Sequence, residues 1–89
     1  MAAYLETISI QFTVGVSEMY NGDTVYVLNY NNILQDSISI NLDGFELPQT
    51  ISGRITYTVI YASNSVTITF NQPVFNGQLY QIQAIKINS

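Results

Sequence analysis

The stretch SISINLDGFELPQTISGRITYTVIYASNSVTITF, residues 37–70, decides the fold, because apolar and polar residues alternate through most of it. A period of two is typical of β-strands, whose successive side chains point to opposite faces. Asp43-Gly44 and Ser63-Asn64 interrupt the alternation, and an Asp-Gly pair readily adopts the positive φ angles of a two-residue hairpin turn. The pattern therefore predicts two hairpins, within 38–47 and 55–70.

The apolar faces of these hairpins are expected to supply much of the core. The residues assigned to them are Ile38, Ile40, Leu42, Tyr57, Val59, Val66, Ile68 and Phe70. Threonines alternate with them in both arms of the second hairpin, so threonine is expected to face threonine on its wetter side.

Three flanking segments also have strand character: 5–14, 24–30 and 78–88, with a turn predicted at Asn21-Gly22. The last of them is apolar on both faces, which indicates a strand that is central in its sheet or covered by a partner. No segment has helical periodicity. We therefore expect one all-β domain over 1–89, a small antiparallel β-sandwich or barrel of about six to seven strands.

Charge is scarce: 9% of residues are charged, against about 25% in typical soluble domains. The net charge of −4 includes only Arg54 and Lys86 as basic residues, which argues against nucleic acid and anionic membranes as partners. The sequence shows no signal peptide and no membrane-spanning run, so synthesis in the cytoplasm is expected. The uncharged polar residues favour burial against another protein, although an AT-rich codon bias gives a similar composition.

The residue inventory offers little for catalysis. The absence of histidine and cysteine excludes a Ser-His-Asp triad within one chain and a zinc site of the His or Cys type. Asp43 and Glu46 lie close together, but at a hairpin tip expected to be convex and solvated rather than across a cleft. We therefore expect no enzyme activity, no cofactor and no metal site.

The order of the motifs carries a resemblance. NGDTVYVLNY at 21–30, ISINLDGFEL at 38–47, YTVIYASNSVTITF at 57–70, QPVFNGQ at 72–78 and LYQIQAIKI at 79–87 follow one another. In this order, residues 8–87 resemble the small all-β module of bacteriophage tail-fibre and head-decoration proteins. The chain departs from that module by inserting PQTISGRI, 48–55, before YTV. The resemblance implies a structural part of a virion, often trimeric, that serves assembly and display.

We therefore expect a virion structural protein, a small fibre, decoration or connector subunit, that contacts other virion proteins and itself, with a trimer favoured. The candidate protein-contact residues are Phe45, Leu47, Ile51, Arg54 and Tyr80. The alternative is a glycan- or receptor-binding module that uses loop tyrosines and amides, because aromatic rings can stack on sugar faces. Its candidate residues are Tyr20, Asn21, Tyr30 and Tyr61. Packing inside the domain remains open for each of these tyrosines.

Overall fold

The computed structural model describes residues 4–47 and 56–88, and within them all regular structure is β-strand. The strands are β1 (Tyr4–Thr13), β2 (Val25–Leu28), β3 (Ser39–Leu42), β4 (Phe45–Glu46), β5 (Tyr57–Tyr61), β6 (Val66–Phe70) and β7 (Leu79–Asn88). The prediction of a small all-β domain with about six to seven strands is confirmed. The described residues contain no helix that is long and apolar enough to cross a membrane.

The strands form two antiparallel sheets that pack as a sandwich. The four-stranded sheet has the order β1-β7-β3-β4 and the three-stranded sheet has the order β2-β6-β5. β7 pairs with β1 over ten residues, from Tyr4 opposite Asn88 to Thr13 opposite Leu79, and with β3 on its other side. The apolar character of both faces of β7 therefore corresponds to a central position, one of the two outcomes that the sequence indicated.

Both predicted hairpins are present, and the reason for the first is local. Asp43 and Gly44 have φ angles of 50° and 90°, so both central residues of the turn are left-handed, as in type I′ hairpins. The turn is also tied to β7: the Asp43 N–H donates to the Leu79 carbonyl at 2.8 Å, and the Leu79 N–H donates to Asp43 Oδ1 at 2.9 Å. In the second hairpin Thr58 faces Thr69, as predicted.

Contacts between aromatic rings join the two sheets. The Phe12 ring lies 5.3 Å from the ring of Tyr26 and 5.7 Å from that of Tyr80, and the Tyr80 ring lies 5.2 Å from that of Phe70. β1 therefore packs over β2, and β7 packs over β6. The edge strands β1 and β2 consequently lie along the same side of the sandwich, a relation that matters for the surfaces described below.

The core contains the residues that the alternation predicted. Six of the eight are buried and the other two, Leu42 and Val59, pack against the core while remaining partly exposed. Beyond Val14, which directly follows β1, two further core residues come from loops. Met19 is fully buried, and Val74 is 1% exposed. The two loops are joined by backbone bonds, since Gly22 N–H donates to the Val74 carbonyl and Val74 N–H donates to the Asp23 carbonyl.

A short segment that precedes β3 continues the pairing along β7. Leu34 N–H donates to the Ile85 carbonyl at 2.7 Å, and Ile87 N–H donates to the Asn32 carbonyl at 2.8 Å. Lys86 holds the same segment through its Nζ, which donates to both the backbone carbonyl and the side-chain Oδ1 of Asn31. Lys86 thus holds the segment before β3 against β7 through hydrogen bonds to Asn31.

Candidate interaction surfaces

The outer face of the three-stranded sheet carries no charged residue in the part of the chain that the structure describes. The strand register places Val25, Thr69 and Thr58 in one row and Val27, Thr67 and Ile60 in the next. The side chains of Val25, Val27 and Ile60 are 49%, 43% and 66% exposed. The alternation in TVYVL, 24–28, predicts that the two valines face away from Tyr26 and Leu28. The structure adds that no described residue covers them.

The outer face of the four-stranded sheet is lined by amides. Gln11, Gln81 and Asn41 form one row across three strands, and the Gln81 Nε2 donates to the Gln11 Oε1 at 3.2 Å. Towards the far end of β7 the same face becomes apolar, where Leu5, which is 64% exposed, lies opposite Ile87. The charged residue on this face within the described chain is Glu46, opposite Asn41 on the short edge strand β4.

A cleft opens between the edges of β1 and β2. It is lined by Ile10, Glu18, Tyr26, Val27, Leu28, Asn29 and Tyr30. Inside it the Tyr26 hydroxyl donates to Glu18 Oε2 at 3.1 Å. Ile10 belongs to the inward face of β1 but stays partly exposed, because β2 is a short strand and does not cover it completely. The cleft therefore exposes apolar surface beside a polar tyrosine–carboxylate pair.

The environments of two tyrosines favour their neutral forms. Burial raises the pKa of Tyr26 to about 12, and the hydrogen bond to the Glu18 carboxylate acts in the same direction. Burial also raises the pKa of Tyr80 to about 12, with a further contribution from the negative charge of Asp43. Every cause of these two shifts among the described residues raises the pKa, so both hydroxyl groups stay protonated at neutral pH.

These raised pKa values predict alkaline destabilisation. A group whose pKa is higher in the folded chain contributes its full stability below the unfolded pKa, here 10.0, and loses it as the pH rises to about 12. We expect the urea midpoint to fall across this window. We also expect the Tyr26→Phe variant to show a shallower fall, because it removes one of the two groups while keeping the ring. Urea unfolding at several pH values measures both slopes, and identical slopes would contradict the assignment to Tyr26.

The structure distributes the predicted protein-contact residues unevenly. Phe45 is 78% exposed beside the hairpin turn, and Leu47 packs partly against the core. Ile51 and Arg54 lie outside the described residues. Tyr80 is 1% exposed, so the expectation that it would contact a partner is corrected: in the strand register its side chain points between the sheets, where its ring stacks on Phe12 and makes a tilted contact with Phe70. The apolar pattern of β7 did not show which of its faces would be inward.

The residues proposed for glycan contact do not form one surface. Tyr20 and Asn21 belong to the loop beside Val74, where Asn21 Oδ1 accepts a hydrogen bond from Asn76 N–H at 3.3 Å. Tyr30 lies beyond the other end of β2 and lines the cleft. The Tyr61 hydroxyl accepts a hydrogen bond from the Asp36 N–H at 2.9 Å, which gives that side chain a role within the chain.

Among the described residues no group of three or more His, Cys, Asp or Glu side chains is arranged to hold a metal ion. Comparison with known proteins finds no matching family model, no curated protein with a significant match and no solved structure with a significant match. The described chain thus presents two outer sheet faces that are almost free of charge and one open side along β1 and β2.

Proposed function

We propose that this protein is a non-catalytic structural subunit of a bacteriophage virion, a small fibre, decoration or connector component that assembles through protein–protein contacts. The observation that carries the assembly role is the near absence of charge from both outer sheet faces of the described chain, together with exposed apolar residues on each. The assignment to a virion is supported by the order of sequence motifs over residues 8–87.

The positions of the charged residues keep the desolvation free energy of these two faces low. The chain carries a net charge of −4, and two approaching copies repel each other wherever like charges meet. Glu18, Asp23, Asp36 and Asp43 lie in loops and turns, away from the centres of the sheet faces. Valine, isoleucine, threonine and amide side chains on the faces can lose water without the desolvation cost of an ion.

The proposal predicts association in solution and with virion parts. Sedimentation velocity over a wide concentration range should show an oligomer, and the protein should co-sediment with purified capsids or tails. Replacing Val27 and Ile60 by lysine should weaken association with capsids or tails, because it introduces two charges into one apolar face.

A matched control is Val16→Lys, since Val16 is 74% exposed in a loop and belongs to neither face. It should leave association unchanged. A chain that stays monomeric at its highest soluble concentration and binds neither capsids nor tails would overturn the proposal.

A further inference from the structure

The outer edge of β1 is the longest open strand edge in the described chain. β1 has ten residues and lies at the end of its sheet, with β7 on one side and no described strand on the other. An open edge presents backbone N–H and C=O groups that another strand can pair with.

The register identifies which groups point outward. Val14, just beyond β1, donates its N–H to the Gln78 carbonyl, so the even-numbered residues face β7 with their backbone groups. The backbone N–H and C=O groups of successive residues in a strand point to opposite sides. The odd-numbered residues of β1 therefore direct their N–H groups away from β7. They are Leu5, Thr7, Ser9, Gln11 and Thr13. The Thr13 carbonyl accepts from Val16 N–H, which closes the row at that end.

This edge lacks the features that usually prevent strand addition. Natural edge strands are protected by proline, lysine, bulges or short length. β1 has no proline and no lysine, and it pairs with β7 through ten residues without a bulge. Its one charged residue is Glu6, whose Oε1 already accepts a hydrogen bond from Asn88 Nδ2 at 2.8 Å.

We propose that β1 pairs antiparallel with β1 of a second copy, so that Ser9 lies opposite Ser9 and the two four-stranded sheets become one. This inference rests on the proposed assembly function and specifies its first contact. Ser9 is the midpoint of the five outward-directed residues, so this register aligns all five, with the Thr13 carbonyl remaining bonded to Val16 and Ser17 N–H of its own chain. Thr7 then faces Gln11, and no charged pair is opposed. The two Glu6 residues lie six positions apart, about 20 Å at 3.3–3.4 Å per residue.

The second copy would also cover part of the cleft between β1 and β2. In the proposed register Ile8 of each copy lies opposite Ile10 of the other, on the inward face. This would cover Ile10, which the short β2 leaves partly exposed beside Leu28. The contact between Ile8 and Ile10 thus adds apolar burial to the backbone hydrogen bonds of the β1 pair.

The size of this side matches a stable interface. Ten residues of strand span about 33 Å, and the smallest extent of the molecule is 22 Å. Their product, about 700 Å², is the geometric area available along this side, of the same order as the roughly 800 Å² that each partner buries in standard protein interfaces. The contact has twofold symmetry, so this edge builds a dimer, and a trimer would need a different contact.

Cysteine cross-linking tests the register, since the chain contains no natural cysteine. Ser9→Cys should form a disulfide-linked dimer under mild oxidation, because Cα atoms of hydrogen-bonded antiparallel pairs are about 5.5 Å apart, within disulfide range. Ser63→Cys is the control: it is exposed in the turn between β5 and β6, outside both sheet faces and the β1 edge, and should cross-link far less.

Proline substitution tests the edge itself. Ser9→Pro removes an outward N–H and leaves the bonds to β7 in place, so it should raise the dimer dissociation constant about tenfold or more. Ser9→Ala keeps the N–H and should not. Circular dichroism and urea unfolding verify that both variants fold. Thr7→Lys is a second disruptive variant, which adds a charge to the edge while keeping every backbone N–H group.

The results separate this inference from the proposed function. An oligomer that forms as well with Ser9→Pro and Thr7→Lys, and is not cross-linked through Ser9→Cys, overturns the β1 pairing and leaves the assembly role standing. A monomer that also fails to bind virion parts overturns both. Loss of self-association by these variants with retained binding to capsids or tails supports both.

Discussion

Tyr80→Ala is expected to lower the free energy of unfolding by about 3–5 kcal/mol, the usual cost of truncating a large buried aromatic residue. The Tyr80 ring is 1% exposed and contacts Phe12 and Phe70, so its loss leaves a cavity where β1, β6 and β7 meet. A domain of this size has about 4–13 kcal/mol of stability in total, at 0.05–0.15 kcal/mol per residue. The variant should therefore unfold at much lower urea concentrations, as followed by circular dichroism.

Tyr80→Phe separates the ring from its hydroxyl group. The hydroxyl donates to Gln78 Oε1 at 3.4 Å, a long bond, so removing it should change the stability by less than about 1 kcal/mol. If the phenylalanine variant were as unstable as the alanine variant, the hydroxyl rather than the ring would hold the sheets together.

Met19→Ala is expected to cost about 2–5 kcal/mol, although the residue lies in a loop. Met19 is fully buried, and its backbone closes a tight turn: its carbonyl accepts from Gly15 N–H at 2.9 Å. Gly15 has a φ of 91°, which favours glycine and sets the direction in which the loop folds back over the core. Urea unfolding measures the loss.

Val16→Ala is the matched control for this loop. Val16 is 74% exposed three residues earlier, so its truncation should change the stability by no more than about 0.5 kcal/mol. Equal losses in the two variants would mean that Met19 does not anchor the loop in the core.

Hairpins could be predicted from the sequence because their determinants are local. The alternation around Asp43-Gly44 and through 57–70 specifies strands and turns within a few residues of one another. The same pattern predicted that Val25 and Val27 face away from Tyr26. Burial of Ile38, Ile40 and Ile68 follows from this alternation.

Features that depend on distant parts of the chain could not be predicted. Met19 lies outside any stretch in which apolar and polar residues alternate. It is buried because the loop that contains Val74 folds beside it. Tyr80 is buried because β6 supplies Phe70 opposite it, a relation that spans the sheets. The edge of β1 is open because β1 stands last in the order of its sheet. The alternation of apolar and polar residues is the same in an edge strand and in a central strand, so it could not predict this position.

The central position of β7 has a consequence for how this chain acquires its structure. β2, β5 and β6 all precede β7, so the three-stranded sheet contains no strand that follows Phe70 in the chain. β1 and β3 are separated by β7 and cannot complete their sheet until residues 79–88 are available. Such a high contact order favours slow folding, on the millisecond-to-second scale of sandwich proteins. Until β7 pairs with it, β1 of the folding chain lacks its partner and is exposed to neighbouring chains.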